Sequence, residues 1–239
     1  MSWKKTWPFF TWQSISHARS WTHFRQIWSF KKRWNDSFKE GRNSVADELP
    51  WINFLAIDFL SKQLRPEFKV FEFGGGGSTL FFCKNVAEVV TVEDNAEWFN
   101  ILTETVRSKG YQNWKGFFVS PELLSDAGPR AHSNPADFKS SVRGLEQMSF
   151  EQYARTIDPF QYEYFDLILV DGRARPSCIQ QAIPRLKKGG LLVVDNTERP
   201  HYLAHFQEII TTQFILEEDR YAPVGYTPDF TRTTILRKK

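Results

Sequence analysis

Residues 69–82, KVFEFGGGGSTLFF, decide the fold. The first five form a short apolar run that is typical of a buried strand. Four glycines, Gly74 to Gly77, follow at once, and Ser78-Thr79 then begin a second apolar run that suits a helix. Glycine lets a ligand approach the backbone, and a helix N-terminus offers unpaired N–H groups. The stretch therefore predicts a ligand-binding loop between a strand and a helix.

An acidic residue, Glu72, lies just before this loop. A carboxylate there repels a pyrophosphate but suits a cationic or hydroxyl-rich ligand. The pattern Glu72-x-Gly74-x-Gly76-x-Ser78 resembles the first motif of class I S-adenosylmethionine-dependent methyltransferases. The dinucleotide-binding pattern G-x-G-x-x-G fits less well, because its third glycine position is Thr79. An NAD(P)-dependent oxidoreductase is therefore the less favoured alternative.

The next predicted strand, EVVTV at residues 88–92, ends in Glu93-Asp94. Glu93 comes nineteen residues after Gly74. Both nucleotide-binding families place an acid at this point to bind ribose hydroxyls. The two strand ends together predict a nucleoside ligand.

The rest of the chain predicts an α/β fold. Apolar runs alternate with helical patterns and place further strands at residues 114–119, 166–170, 191–194, 214–216 and 233–236. Between the last two lies a 14-residue link, residues 217–230, too short for a helical crossover, so they should pair antiparallel. We expect a doubly wound, mostly parallel seven-stranded sheet with an antiparallel last strand, which the resemblance also implies.

Acidic residues follow the predicted parallel strands. Ligands of open α/β sheets bind beyond the carboxyl ends of the strands, where Glu72, Glu93, Asp171 and Asp195 would meet. The resemblance implies S-adenosylmethionine as the cofactor, with the glycines and Glu72 around its methionine part and Glu93 at its ribose. It implies these cofactor-binding residues: Glu72, Gly74, Gly75, Gly76, Ser78, Thr79, Glu93, Asp94 and Asp171.

The candidate catalytic residues are Asp171, Asp195 and Arg173. Either carboxylate can act as general base for an oxygen acceptor. Asp171, Asp195 and Asn196 also resemble the divalent-metal ligands of catechol-type O-methyltransferases, which would suit Mg²⁺. We do not favour a metal, because Arg173 and Arg175 flank Asp171 and a guanidinium can take over the metal's electrostatic role. A helix cap is the structural alternative for Asp195-Asn196.

Three arginines, Arg173, Arg175 and Arg199, lie at one edge of the predicted site. They can bind a carboxylate, a phosphate or a sugar-linked anion. Equally, they can pair with Asp195, Glu198 or acids of the loops. Residues 120–160 are rich in Pro, Gly and Ser and predict a loop near the cofactor pocket.

The N-terminal arm, residues 1–34, differs from the rest in composition. It holds seven basic residues, no acidic residue and six of the nine tryptophans, whereas residues 35–239 carry 24 basic and 28 acidic residues. Aromatic spacing predicts a helix over residues 20–34 with an aromatic face and a cationic remainder. We therefore divide the chain into a basic, Trp-rich arm and hinge (1–43) and a Rossmann-like methyltransferase domain (44–239).

This arm has three interpretations. It can pack on the core or on a second subunit of a homodimer, lie on a membrane surface as a peripheral contact, or contact nucleic acid. Nucleic acid is not favoured, because no known binding module accompanies the charge. The sequence shows no secretory signal and no apolar stretch of spanning length, and Cys83 and Cys178 lack metal-ligand spacing. These features predict a cytoplasmic protein, at most peripheral at the inner membrane surface.

The sequence thus predicts a methyltransferase that acts on a hydroxyl of a small molecule or glycan-like acceptor. Oxygen is a better guess than nitrogen, because no Asn-Pro-Pro-Tyr-like motif of amide or base methylation is present. Besides the oxidoreductase, a non-catalytic nucleotide-binding or membrane-associated scaffold remains as an alternative.

Overall fold

The computed structural model describes residues 3–124 and 128–239, so the first two residues of the arm and residues 125–127 of the predicted loop lie outside it. Within these ranges seven strands form the main sheet. From edge to edge, and numbered in chain order, they are β3 (Trp114–Phe118), β2 (Glu88–Glu93), β1 (Lys69–Phe73), β6 (Phe165–Val170), β7 (Leu186–Val194), β11 (Thr234–Lys238) and β8 (Phe214–Glu218).

The strand directions confirm the predicted fold. The first five strands of this order pair parallel, whereas β11 pairs antiparallel with both β7 and β8. The link between β8 and β11 contains a small hairpin, β9 (Tyr221–Pro223) and β10 (Phe230–Arg232). A second short pair, β4 (Glu122–Leu123) and β5 (Met148–Ser149), lies in the predicted loop region.

Helices cover both faces of the sheet. In chain order they are α1 (Trp3–His17), α2 (Trp21–Ser29), α3 (Lys31–Asp36), α4 (Phe54–Gln63), α5 (Gly77–Asn85), α6 (Ala96–Ser108), α7 (Glu151–Arg155), α8 (Arg175–Arg185) and α9 (Gln207–Gln213). Successive strand residues belong to opposite clusters: Val70 packs with α4 and α5, whereas Phe71 packs with α7 and α8. This alternation explains why the strands read as continuous apolar runs.

Two helix boundaries differ from the sequence prediction. The sequence predicts a helix over residues 47–64. In the structure Glu48 has φ of 52°, outside the helical region, and α4 begins only after Asn53. The Asn53 side chain accepts a hydrogen bond from the N–H of Ala56 at 2.9 Å and caps the helix. The helix predicted over residues 20–34 is interrupted at Phe30, which ends α2 and precedes α3.

One side of the arm packs on the rest of the chain. Ile27 and Trp34 are buried in the same cluster as Phe54 and Phe230. The indole N–H of Trp34 donates to the carbonyl of Thr227 at 3.0 Å, in the turn of the β9–β10 hairpin. The packing interpretation therefore holds for this stripe of the arm, which lies against the hairpin.

The other aromatic stripe stays at the surface. Trp21 is 72% exposed, and its ring stacks on Phe24, which in turn stacks on Trp28. The ammonium of Lys31 lies 4.6 Å from the centre of the Trp28 ring. Among the described residues, no helix is both long and apolar enough to cross a membrane.

The two stripes give a direct test of the packing. Replacing Trp34 with Ala should lower the free energy of unfolding by about 3–5 kcal/mol, because a large buried side chain and its hydrogen bond are lost. Replacing the exposed Trp21 with Ala should change it by less than about 0.5 kcal/mol. Urea unfolding of both variants measures the difference, and equal effects would contradict the packing described here.

Candidate functional site

The glycine loop joins β1 to α5 and touches the loop that follows β6. Gly74 has φ of 90°, a conformation that favours glycine, and a Cβ on it would come within 2.9 Å of Gly172 Cα. A Cβ on Gly77 would meet the carbonyl oxygens of Ser44 and Leu49 at 2.2 and 2.3 Å. Gly76 differs, because the nearest atom to its Cβ is in the Trp98 ring at 3.8 Å. Only some of the glycines are therefore required by packing.

Glu72 lies beneath this loop, not in the cleft above it. Its side chain is fully buried and accepts hydrogen bonds from the hydroxyls of Ser78 (2.8 Å), Thr91 (2.7 Å) and Thr79. Burial raises the pKa of Glu72 to about 7, against the opposing effect of these hydroxyls. The carboxyl group therefore anchors the loop, and the expected contact of Glu72 with the cofactor's methionine part does not fit this position.

Thr79 shares this anchoring role. Its hydroxyl accepts a hydrogen bond from the N–H of Gly76 at 3.0 Å as well as donating to Glu72. The sequence predicts Thr79 among the cofactor-binding residues. In the structure it is fully buried and lies below the residues that line the cleft. Ser78, in contrast, lines the cleft.

Glu93 ends β2 beside the loop. Its carboxylate accepts hydrogen bonds from the N–H groups of Gly75 and Asn95, both at 3.0 Å. The indole of Trp98 donates to the carbonyl of Gly75 at 2.8 Å. Burial raises the pKa of Glu93 above its usual value. These bonds fix the loop and the acid relative to each other at the mouth of the cleft.

The cleft itself, of about 860 Å³, opens at the carboxyl ends of β1, β2, β6 and β7. Most of the predicted site residues line it: Gly74, Gly75, Gly76, Ser78, Glu93, Asp94, Asp171, Arg173, Asp195 and Asn196. Its acids are Glu93, Asp94, Asp171, Asp195, Glu198 and Asp229. The cleft therefore favours a cationic or hydroxyl-rich ligand over a polyanion.

Asp171 and Asp195 meet on the floor of the cleft. Asp171 accepts from the Arg175 guanidinium at 2.9 Å, and Asp195 accepts from the hydroxyl of Thr233 at 2.6 Å. Burial raises the pKa of Asp195 to about 8, and the neighbouring Asp171 adds to the rise. Burial also raises the pKa of Asp171 to about 6, against the effect of Arg175. Near neutral pH the Asp171–Asp195 pair therefore shares one proton.

Two of the three candidate magnesium ligands already have partners within the protein. In residues 3–124 and 128–239, no group of at least three His, Cys, Asp or Glu side chains is placed to hold a metal ion. The candidate ligands Asp171 and Asp195 instead engage Arg175 and Thr233, and one of them is protonated. We derive no step through a metal.

The three arginines have different surroundings. Arg175 is buried and also donates to the carbonyls of Gly172 and Asp171, so it supports the floor. Arg173 lies 3.4 Å from Asp94, a carboxylate whose pKa burial raises. Arg199 donates to the hydroxyl of Tyr202 at 2.8 Å. Arg175 and Arg173 therefore each pair with a predicted acid of the site, at 2.9 and 3.4 Å.

Sequence reasoning missed two parts of the cleft wall. Trp98 lies one turn after Glu93-Asp94, and that spacing on the first turn of α6 was a usable signal. The β9–β10 hairpin supplies Val224, Thr227, Asp229, Phe230 and Thr231, far away in sequence. The hydroxyl oxygen of Thr231 is buried and without a hydrogen-bond partner in the described part of the chain.

Solved structures with the same architecture identify the fold. The chain resembles a proposed methyltransferase from Streptococcus mutans in complex with SAH (16% identity, 77% of this chain and 96% of that chain covered, TM-score 0.51). It also resembles the O-methyltransferase from Bacillus cereus in complex with SAH (15%, 90% and 90%, 0.54). The fold is that of class I S-adenosylmethionine-dependent methyltransferases.

A Corynebacterium glutamicum protein shares this methyltransferase fold at 12% identity, with 88% of this chain and 96% of that chain covered and a TM-score of 0.56. No protein-family model matches the sequence, and no curated protein matches it significantly. At these identities the likeness concerns the fold, so the chemistry has to be argued from the site.

The loop geometry predicts opposite outcomes for two glycine variants. Gly76→Val should keep the melting temperature close to that of the wild type, because its side chain meets only open space beside Trp98, but should abolish binding of S-adenosylhomocysteine. Gly74→Val should lower the melting temperature, because it combines a strained φ with a clash against Gly172. Calorimetric binding and thermal unfolding measure both effects. Normal binding by Gly76→Val would mean that the cofactor lies elsewhere.

Proposed function

We propose that the chain is an S-adenosylmethionine-dependent methyltransferase. The observation that carries the proposal is the fixed pair formed by the glycine loop and Glu93 at the mouth of an acidic cleft. The N-terminal end of α5, together with Ser78, suits the carboxylate and amine of the methionine part, and Glu93 and Asp94 suit the ribose hydroxyls. The same acids favour the positive charge of the sulfonium.

An NAD(P)-dependent oxidoreductase is disfavoured by the same charges. A pyrophosphate would have to enter a cleft lined by Glu93, Asp94 and Asp171. The position that a dinucleotide fingerprint reserves for its third glycine holds Thr79, whose side chain bonds Glu72.

We propose that the acceptor presents a hydroxyl of a small or glycan-like molecule, and that Asp171 is its general base. When bound, the cofactor supplies an electrophilic methyl group. Transfer of that methyl group to the acceptor oxygen would leave the cofactor as its neutral thioether, and Asp171 would take the hydroxyl proton. Asp195 and the buried Arg175 position this carboxylate, and Arg173 is placed to contact the acceptor at the cleft edge.

The cofactor proposal predicts which of two nucleotide ligands binds. Wild-type protein should bind S-adenosylhomocysteine and not NAD⁺ in isothermal titration calorimetry. Glu93→Ala should weaken this binding by about 1–3 kcal/mol, since ribose hydroxyls and loop N–H groups both lose an acceptor. Glu97→Ala, an exposed acid on the first turn of α6, is the matched control and should bind like wild type.

Unchanged affinity in Glu93→Ala would remove that residue from the site, and tighter binding of NAD⁺ would overturn the methyltransferase proposal. Transfer of a labelled methyl group from the cofactor into components of a cell extract separates an enzyme from a non-catalytic scaffold. A protein that binds the cofactor but labels nothing in any extract would support the scaffold.

We further propose that the exposed side of the arm makes a peripheral contact with an anionic membrane. Trp12, Ile15 and Trp21 are each at least 60% exposed, which is unusual for large apolar side chains. Further along the arm, an open groove of about 690 Å³ is lined by Trp28, Lys31, Lys32, Phe38 and Lys39, together with Ser29, Asn35 and Asp36, which pairs with Lys32 and Lys39. Tryptophan with neighbouring lysines suits the interface of an anionic bilayer. Such a contact would accord with a cytoplasmic location at the inner membrane surface.

Vesicle sedimentation tests this contact. At low salt the protein should sediment with vesicles that contain phosphatidylglycerol and not with pure phosphatidylcholine. High salt should weaken the binding, because each basic residue contributes about 1 kcal/mol through a screened field. Trp21→Ala should weaken it by roughly 1.5–3 kcal/mol, the value for burying a large apolar side chain. Tyr162→Ala, at an exposed aromatic residue elsewhere on the surface, should leave it unchanged.

No sedimentation at low salt would overturn the membrane proposal. If light scattering instead shows a dimer that Trp21→Ala dissociates, the same face binds a second copy of the chain.

A further inference from the structure

A smaller cavity, of about 190 Å³, lies beside the cleft and shares Gly172, Arg173, Asn196 and Arg199 with it. We call it the side pocket. Its remaining wall comes from α8 and from the insertion between β3 and β6, which the sequence predicted only as a loop. Here Lys139, Ser140 and Ser141 face the arginines. One water molecule occupies about 30 Å³ in the liquid, so a cavity of about 190 Å³ has room for a small polar group.

The charges of the side pocket are opposite to those of the cleft. Its described lining contains Arg173, Arg175, Arg199, Lys139 and His132, and no Asp or Glu. The cleft next to it is lined by six acids, and its cations, Arg173 and Arg199, both belong to the shared wall. Because the two spaces share a wall, one ligand can reach both while meeting opposite potentials at its two ends.

Two of these cations form no ion pair with a carboxylate in the part of the chain that the structure describes. Lys139 is 7% exposed, and its ammonium donates to the backbone carbonyl of Glu146, whose carboxylate is near enough to attract it. Arg199 is exposed and contacts Tyr202 through its hydroxyl and its ring. A buried cation such as Lys139 is costly unless it is paired with an anion. The pocket therefore has capacity for added negative charge.

Neutral donors complete the pocket. Helix α8 begins at Arg175, so its N-terminal end, with its partial positive charge, lies against this space. The hydroxyl of Ser140 accepts a hydrogen bond from the N–H of Val142, and that of Ser141 lies 3.3 Å from the hydroxyl of Tyr202. Both serines can also donate a hydrogen bond to an oxyanion.

We infer that the side pocket binds an oxyanion group of the methyl acceptor: a carboxylate, a phosphate or a sulfate. The inference rests on the proposed function in assigning this group to the acceptor. The shared wall then places the acceptor's hydroxyl toward Asp171, while the charge of the anion keeps that end away from the acidic cofactor cleft. The acceptor class is accordingly a hydroxylated acid or a phosphorylated or sulfated hydroxyl compound.

Inorganic phosphate is the probe, titrated at constant ionic strength and followed by protein NMR. Wild type should bind one phosphate. Arg199→Gln and Lys139→Met should each weaken that binding about tenfold or more, since each removes a charge-assisted hydrogen bond. Arg107→Gln, an exposed arginine on α6, is the matched control and should not change it. Lys139 lines the side pocket and not the cleft, so Lys139→Met should keep wild-type affinity for S-adenosylhomocysteine.

Phosphate affinity that is absent in wild type, or equal in wild type and both pocket variants, would overturn the inference even if S-adenosylhomocysteine binds. Phosphate binding that is lost in both variants would support the oxyanion site. If that result came with no binding of S-adenosylhomocysteine, the proposed function would fail while the anion site remained.

A second experiment distinguishes the acceptor's own group from free phosphate. In protein saturated with S-adenosylhomocysteine, 3,4-dihydroxybenzoate should bind more tightly than its amide, and Arg199→Gln should abolish the difference. Equal binding of the acid and the amide by wild type would contradict the assignment to the acceptor.

Discussion

The site depends on one fully buried carboxyl group, that of Glu72. Glu72 connects the end of β1 to the first turn of α5 and, through Thr91, to β2. Thr79 extends this network to the backbone of Gly76. Because the hydroxyls consume the acceptor capacity of a fully buried side chain, the loop above it has one conformation. Replacing this acid by an apolar residue would leave those hydroxyls without partners, a larger penalty than the loss of the bonds alone.

Charge is distributed so that one open sheet edge carries two kinds of binding surface. Acids follow the strands, and cations come from the segments between them, so the boundary runs along Gly172 and Arg173. The close approach of Gly74 to Gly172 keeps this boundary narrow. An acceptor that spans it would be oriented by electrostatics before any shape complementarity acts. Specificity in such a site comes from rejecting molecules with the wrong charge at either end as much as from attracting the right ones.

The sequence predicted the sheet well because strand order and ligand position follow from local patterns. Apolar runs, the glycine loop and acids at the strand ends lie within a few residues of one another. It did not separate Glu72 from Glu93, because both are acids at strand ends and only burial by Ser78, Thr79 and Thr91 distinguishes them. The hairpin wall and the side pocket were beyond reach, because no periodicity records their contacts. The side pocket joins segments 30 to 70 positions apart, and the hairpin lies more than 140 positions after the glycine loop. The arm's two aromatic stripes were visible in the spacing, but which of them is buried depends on the hairpin.

The contact between the arm and the β9–β10 hairpin also concerns synthesis of the chain. Arg19 pairs with Asp219 and Trp34 bonds Thr227, contacts that join residues separated by 200 and 193 positions. A ribosome adding about 5–20 residues per second needs about 10–40 s to cover that distance. During this interval the aromatic stripe of Ile27, Phe30 and Trp34 has no hairpin to cover it. The nascent protein therefore passes through a period in which its most apolar segment is open to chaperones, to aggregation or to a nearby bilayer, and the cleft acquires its last wall only when that period ends.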